Sequence, residues 1–145
     1  MLRALRERAP RCRAAVITLP PIGEDLGDAA NVKVQQYNTT LRQLVGRYAD
    51  SARLVDFHAA CVEHLAARAT PAPPPAGLPS MSLWGMVWIQ VAAVVRRYVF
   101  RSSWNAVSRV NGLRLLTDHV HLNDTAAALL VRSLQPFVDE LIAGS

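Results

Sequence analysis

Residues 14–19 have the sequence Ala-Ala-Val-Ile-Thr-Leu, a continuous apolar run that Pro20-Pro21 closes. A short apolar run without alternation predicts a strand buried on both faces, as in a parallel sheet. The two prolines have no backbone N–H to donate, so we expect ladder pairing to stop there. The segment from Ile22 to Ala30 holds two glycines and three acidic residues and predicts a loop.

The next segments continue an alternation of helix and strand. From Lys33 to Tyr48 the apolar residues recur at helical spacing, and Asn31 is the predicted N-cap. Arg53–Phe57 predicts a second short strand, and a helix is expected from His58 to Arg68. This order predicts an α/β fold in which right-handed crossovers place helices over a parallel sheet.

The middle of the chain changes character. Residues 70–79 contain five prolines, which predicts a semi-rigid linker over 70–80. Met81 to Val95 is almost wholly apolar but too short to cross a bilayer, which takes about 20 residues. A buried or lid-like helix is the favoured interpretation, and Trp84 and Trp88 keep a helix at a membrane interface as an alternative.

The C-terminal part predicts two more helices around a polar loop. The first spans Ser103 to Val110, and Leu113–Leu116 predicts a third short extended segment. Asn123 or Asp124 can cap the closing helix, in which Pro136 predicts a kink. The inner side of that helix is predicted to carry Ala127, Leu130, Val131, Leu134, Val138 and Leu141.

Composition excludes several function classes. The 145 residues suffice for one domain, and 51% are hydrophobic, which argues against disorder. The net charge of +5 is concentrated in residues 1–13, which hold five arginines against one glutamate, so we expect no nucleic-acid-binding face on the rest of the chain and no nucleic-acid binding. The same segment is too polar for a secretory signal. Cys12 and Cys61 are far apart in sequence and predict neither a disulfide framework nor a zinc site.

The residues that carry chemistry are Asp118 and His121, in a loop just before the closing helix. A carboxylate three residues before a histidine can turn back to accept the imidazole Nδ1–H. That contact fixes the tautomer and stabilises the imidazolium formed when Nε2 takes a proton. Spacing alone is weak evidence, because such pairs are frequent and a loop histidine is usually solvated or a capping residue.

A metal site is the alternative interpretation of the same loop. His119 and His121 with Asp118 supply three ligand types. A further ligand would have to come from His58 or His64, which lie six residues apart on a predicted helix and therefore on diverging faces. We expect no metal and no cofactor.

The segment Thr117–Asp124 (T-D-x-x-H-L-N-D), followed by an amphipathic helix, resembles the C-terminal block of SGNH (GDSL-type) ester hydrolases. Three further segments are similar to that family in the same order: AVITLPPIGEDL at 15–26, Tyr37-Asn38, and LVDF at 54–57. The resemblance covers most of 12–142 and is weakest at 70–105. It implies a three-layer α/β/α, flavodoxin-like fold, with Asp118 and His121 as the acid and base of a Ser-His-Asp triad.

The chain departs from the family pattern where the nucleophile is expected. The G-D-S motif and the G-x-N-D motif are absent, and Gly27-Asp28-Ala29 is a near miss without a hydroxyl. His119 occupies a position where the family often has a smaller residue. The resemblance therefore implies the C-terminal half of the fold, with the first three strands missing and an unpaired, hydrophobic edge on the 14–19 strand.

Five segments follow from this interpretation: a basic leader that continues a preceding helix (1–13), a βαβα unit (14–69), a linker (70–80), a lid-like or interfacial helical segment (81–111), and the Asp/His loop with its closing helix (112–145). Three functions stay open: part of an ester hydrolase that is inactive alone, a degenerate remnant, or a protein that binds a membrane or partner through 81–100. The expected partners are a small-molecule or lipid ester, a membrane surface, and a second copy at the sheet edge. Location stays open between the cytoplasm and a membrane surface.

Overall fold

The structure is a computed structural model that describes residues 2–67 and 83–144. Its elements in chain order are α1 (Leu2–Arg8), β1 (Ala14–Ile17), α2 (Ala29–Gly46), β2 (Ala52–Val55), α3 (Phe57–Ala67), α4 (Leu83–Tyr98), α5 (Trp104–Val110) and α6 (Asp124–Ala143). The predicted linker at 70–80, the start of the predicted apolar helix at Met81 and the predicted end of α3 at Arg68 lie outside the described residues. The fold is mixed α/β, as predicted.

The two strands pair in parallel, with Ala14 opposite Ala52 and Ile17 opposite Val55. A parallel pair needs a long connection, and α2 lies in the segment that joins the two strands. The ladder reaches one residue past β1, because the N–H of Thr18 donates to the carbonyl oxygen of Val55 (3.1 Å). The strand predicted over 14–19 is therefore shorter than expected.

Leu19 leaves the ladder because the amide of Asn38 takes both of its backbone groups. The Leu19 N–H donates to Asn38 Oδ1 (2.8 Å), and Asn38 Nδ2 donates to the Leu19 carbonyl oxygen (2.9 Å). An amide that accepts and donates at once replaces one rung of a sheet. The chain consequently ends the strand before Pro20-Pro21.

The predicted N-cap of α2 is wrong. Asp28 caps the helix, because its side chain accepts the N–H of Ala30 (2.7 Å). Asn31 instead lies inside the helix and is fully buried. Its side chain accepts the N–H of Ile22 and donates to the carbonyl oxygens of Ile22 and Asp25, so it holds the 22–25 loop against α2.

The third extended segment, predicted at Leu113–Leu116, is also wrong. Among the described residues the sheet has two strands, and Leu116 forms an isolated antiparallel bridge with Leu122. The backbone donors of residues 114–116 point to the side chain of Glu24 rather than to a neighbouring strand. Since those N–H groups are already bonded to Glu24, they are not available to pair with a neighbouring strand.

Two apolar clusters hold the fold together. One lies between α3, α6 and the loop before α6, and its buried members are Phe57, Cys61, Leu115 and Ala126. The other joins α1, α2 and the sheet through Leu2, Val45 and Ala52. The first cluster lies directly beneath the loop that carries the predicted site, so it sets the position of that loop.

One edge of β1 has no strand partner within the part of the chain that the structure describes. Ile17 and Leu19 at this strand are exposed although both are large and apolar. An uncovered hydrophobic edge is a pairing site for another chain. Self-association through this edge stays a prediction.

Candidate active site at Asp118 and His121

The loop that carries the predicted pair is fixed at its beginning by Glu24. Its carboxylate accepts the backbone N–H groups of Arg114 (2.8 and 2.9 Å to the two oxygens), Leu115 (2.5 Å) and Leu116 (3.0 Å). Consecutive backbone donors that converge on one carboxylate form an anion-binding concavity. The 22–25 loop and the start of the site loop are therefore held together.

Asn123 fixes the other end of the loop. It is buried and caps α6, since its Oδ1 accepts the N–H of Ala126 (3.0 Å). Its Nδ2 donates to Ser108 Oγ (2.9 Å) and to the carbonyl oxygen of Arg114 (2.7 Å). One side chain thus joins α5, the site loop and α6, and of the two predicted N-caps it is Asn123 that serves.

Between these anchors the chain makes a tight turn. The backbone N–H and the hydroxyl of Thr117 both donate to the carbonyl oxygen of His121 (2.8 and 3.2 Å). The Asp118 carboxylate closes the turn from inside, because its Oδ1 accepts the N–H of His121 (2.9 Å) and of Val120 (3.3 Å). The turn, which the Asp118 carboxylate itself helps to form, therefore brings residues 118 and 121 together.

The side chains of Asp118 and His121 meet as the sequence predicts. Nδ1 of His121 lies 2.8 Å from Oδ2 and 3.0 Å from Oδ1 of Asp118. An ionised carboxylate only accepts hydrogen bonds, so Nδ1 carries the proton and Nε2 of the neutral ring has a free lone pair. This is the arrangement that a general base requires.

The two partners differ sharply in exposure. The Asp118 side chain is 6% exposed and that of His121 is 65% exposed. Burial alone would raise the pKa of Asp118. The N–H and imidazole of His121 and the N–H of Val120 outweigh it and hold that pKa below its ordinary value. Asp118 is consequently ionised and fixed in place at neutral pH, and it holds the solvent-accessible imidazole of His121 by a hydrogen bond.

His121 lines a cleft of ≈ 420 Å³ between the site loop, α4 and α5. The cleft residues are Gln90, Ala93, Val94, Trp104, Thr117, Asp118, His121 and Leu122. Among them Thr117 carries an aliphatic hydroxyl, but it is buried and already donates to the carbonyl oxygen of His121. Among the residues that the structure describes, the cleft therefore presents a base and an orienting acid on a largely apolar wall, without a hydroxyl placed to act as nucleophile.

The structure separates the histidines that a metal site would need. His119 has a left-handed backbone (φ 71°) and is buried, whereas His121 is exposed. His58 is buried on α3, where burial lowers its pKa, and His64 lines a different cleft between α3 and α6. Within residues 2–67 and 83–144, no group of three or more His, Cys, Asp or Glu side chains is placed to hold a metal ion.

Sequence reasoning missed the structural roles of Glu24, Asn31 and Asn38, and the role of Asn123 as a donor. A signal for two of them was present. Asn31, Val34 and Asn38 share one face of α2 at offsets of three and seven residues, so two asparagines lie in the buried stripe of an amphipathic helix. Buried amides need partners, and such a pair predicts that loops are bonded to that face.

Comparison of the chain with known protein families, with curated proteins and with solved structures found no match. The resemblance to SGNH hydrolases therefore stays a prediction. Both residues of the predicted catalytic pair lie in contact and in one cleft. None of the helices in the described ranges combines the length and the hydropathy that crossing a membrane requires.

Proposed function

We propose that this chain supplies the acid and base of an SGNH-type ester hydrolase, with His121 as general base and Asp118 as its orienter. One observation carries the proposal: the buried Asp118 carboxylate holds Nδ1 of an imidazole that lines a cleft. The same two residues are those that the family resemblance selects.

The chemistry that the pair would perform is proton transfer. Nε2 of His121 takes the hydroxyl proton of a serine as the serine Oγ bonds to the ester carbonyl carbon, and the imidazolium is stabilised by Asp118. The proton then passes to the leaving alcohol oxygen as the ester C–O bond breaks. A water molecule repeats the sequence on the acyl-enzyme, which releases the acid and the free serine.

The serine in this proposal comes from polypeptide outside these 145 residues. The sequence contains no G-D-S motif, and the cleft hydroxyl of Thr117 is occupied. Each missing oxyanion donor costs about 3–4 kcal/mol of transition-state stabilisation. We therefore expect the chain alone to show no triad-dependent ester hydrolysis, and the class of ester stays open.

The state of the imidazole can be tested in the chain itself by long-range ¹H–¹⁵N NMR above the titration of the ring. We expect His121 to carry its proton on Nδ1, because Asp118 accepts it there. In Asp118→Ala the proton should move to Nε2, the tautomer that free histidine prefers. His64, on another cleft, is the matched control and should keep its spectrum in both proteins.

Turnover is tested with the reading frame that precedes Met1. If it encodes a G-D-S segment, the joined protein should hydrolyse p-nitrophenyl butyrate, and His121→Ala should lower kcat/KM by at least ~10⁴-fold. His64→Ala should leave it within about twofold. Turnover retained in His121→Ala would contradict the assignment of His121 as general base. An upstream reading frame that encodes no G-D-S segment would instead favour the interpretation of the chain as a remnant without activity.

A further inference from the structure

The outward side of α4 is apolar and exposed over about three turns, from Val87 to Tyr98, although it belongs to a chain with a packed core. Trp88 is 73% exposed, and among the side chains that the structure describes on this helix Ala93 is the buried one. The exposed apolar side chains of α4 are Val87, Trp88, Val91, Val94, Val95 and Tyr98, and we call this set the outer face. Val99 and Phe100, just after the helix, continue it.

The outer face has the geometry of an amphipathic helix at an interface. At 3.6 residues per turn its six members fall within an arc of about 120°. Arg96 and Arg97 lie beyond the two edges of this arc and are half-buried; Arg97 stacks on the Trp104 ring (5.6 Å) and donates to the carbonyl oxygen of Ser102. Arginine on the polar flanks with tryptophan and aliphatic residues between them is the pattern of helices that lie flat in the headgroup region.

The charged residues on α4 and in the chain on either side of it are all basic. Between Glu63 and Asp118 the sequence has no acidic residue. Arg96, Arg101 and Arg109 form no ion pair with any side chain in the ranges that the structure describes. The surface thus offers cations without their counterions, which fits a partner that supplies the anions.

We propose that the outer face of α4 docks on a lipid surface that carries anionic headgroups. The aromatic residues Trp88, Tyr98 and Phe100 would lie at the boundary between headgroups and acyl chains, where their rings are favoured. Arg96 and Arg101 would contact lipid phosphates. A second copy of this chain is a poorer occupant, because two acid-free faces would bring arginines together without a carboxylate to pair them. Val94 also lines the Asp118/His121 cleft, but docking on lipid does not depend on the ester hydrolase proposal.

The experiment is flotation of the protein with vesicles, either phosphatidylcholine alone or phosphatidylcholine and phosphatidylglycerol in equal parts. We expect binding to the anionic vesicles, with a blue shift of tryptophan emission. Neutral vesicles should bind far more weakly, and added NaCl should release the protein. Arg96→Gln/Arg101→Gln should weaken binding by about 25-fold, since each charge near such a surface is worth about fivefold.

The apolar part is tested with a matched pair of double variants. Trp88→Ser/Val91→Ser removes the centre of the outer face, and Ile142→Ser/Val138→Ser removes side chains of closely similar exposure on α6 (71% and 41%, against 73% and 46%). The first should abolish flotation and the second should leave it unchanged, with far-UV circular dichroism showing that both variants are folded.

Three results would overturn the proposal. They are absence of binding to anionic vesicles, equal binding to neutral vesicles, and loss of binding in both double variants alike. A dimer in light scattering that Trp88→Ser/Val91→Ser dissociates would assign the face to a second copy instead. None of these results bears on the tautomer of His121, so this proposal and the hydrolase proposal fail separately.

Discussion

Glu24 is expected to be the residue on which the position of the site loop depends most. In Glu24→Ala the N–H groups of Arg114, Leu115 and Leu116 lose their common acceptor. Leu115 and Leu116 are each 2% exposed, so their two donors cannot turn to bulk water. At about 1.5 kcal/mol for each stranded donor, the free energy of unfolding should fall by about 3 kcal/mol.

That loss is measurable by urea unfolding followed by circular dichroism. With a urea dependence of about 2 kcal/mol per molar, the midpoint should fall by about 1.5 M, and Tm should fall by about 10 °C. Glu24→Gln should lose less, because one amide oxygen can still accept while its NH₂ faces a donor. Glu63, an exposed carboxylate on α3, is the control, and Glu63→Ala should unfold like the unaltered protein. A Glu24→Ala midpoint within about 0.3 M of the unaltered one would refute the reasoning.

Three further outcomes are expected. Asn38→Leu strands both backbone groups of Leu19 and should cost about 2–4 kcal/mol in urea unfolding, whereas an equal midpoint would mean that water replaces the amide. The pKa of Asp118 lies below its ordinary 3.8 in the folded protein, so the ionised carboxylate stabilises the fold above pH 3.8. The unaltered protein should therefore be more stable than Asp118→Asn at pH 7, and this difference in the free energy of unfolding should vanish as the pH falls through the lowered pKa. Burial and the charge of Glu24 raise the pKa of the Cys61 thiol from 9.0 to about 12. Exposed Cys12 should therefore react with iodoacetamide at pH 8.5 while Cys61 stays protected until urea is added, and stability should decline between pH 9 and 12 because the unfolded chain releases that proton first.

The elements that periodicity and apolar runs define were predictable, because burial of one face imposes those patterns on the sequence. The two parallel strands and their intervening helix follow from the runs at 14–19 and 53–57 and the apolar stripe between them. The ends of elements were not predictable, since distant side chains decide them. Asn38 ends β1 from nineteen residues away, and Asn31 was mistaken for a cap because its partners at 22 and 25 are set by the tertiary fold.

The contact between Asp118 and His121 was predictable for the opposite reason. Asp118 and His121 are three residues apart, and a turn that brings such neighbours together needs only local hydrogen bonds, such as the one from the His121 N–H to the Asp118 carboxylate. The structure of the segment leading into it depends on Glu24, ninety residues earlier in the chain, and no local pattern reveals that contact. The predicted strand at 113–116 failed on this account.

The double role of Asn123 has a consequence for recognising kin of this chain. The side chain at position 123 must accept one hydrogen bond at the start of α6 while donating two others. Other residues cannot do both, because an ionised aspartate has no donor, serine has one, and the glutamine side chain is one methylene longer. A related chain can lose Asp118 and His121 and still need this amide to hold α5, the site loop and α6 together. We therefore expect the asparagine at this position to be retained more widely than Asp118 and His121 in divergent sequences.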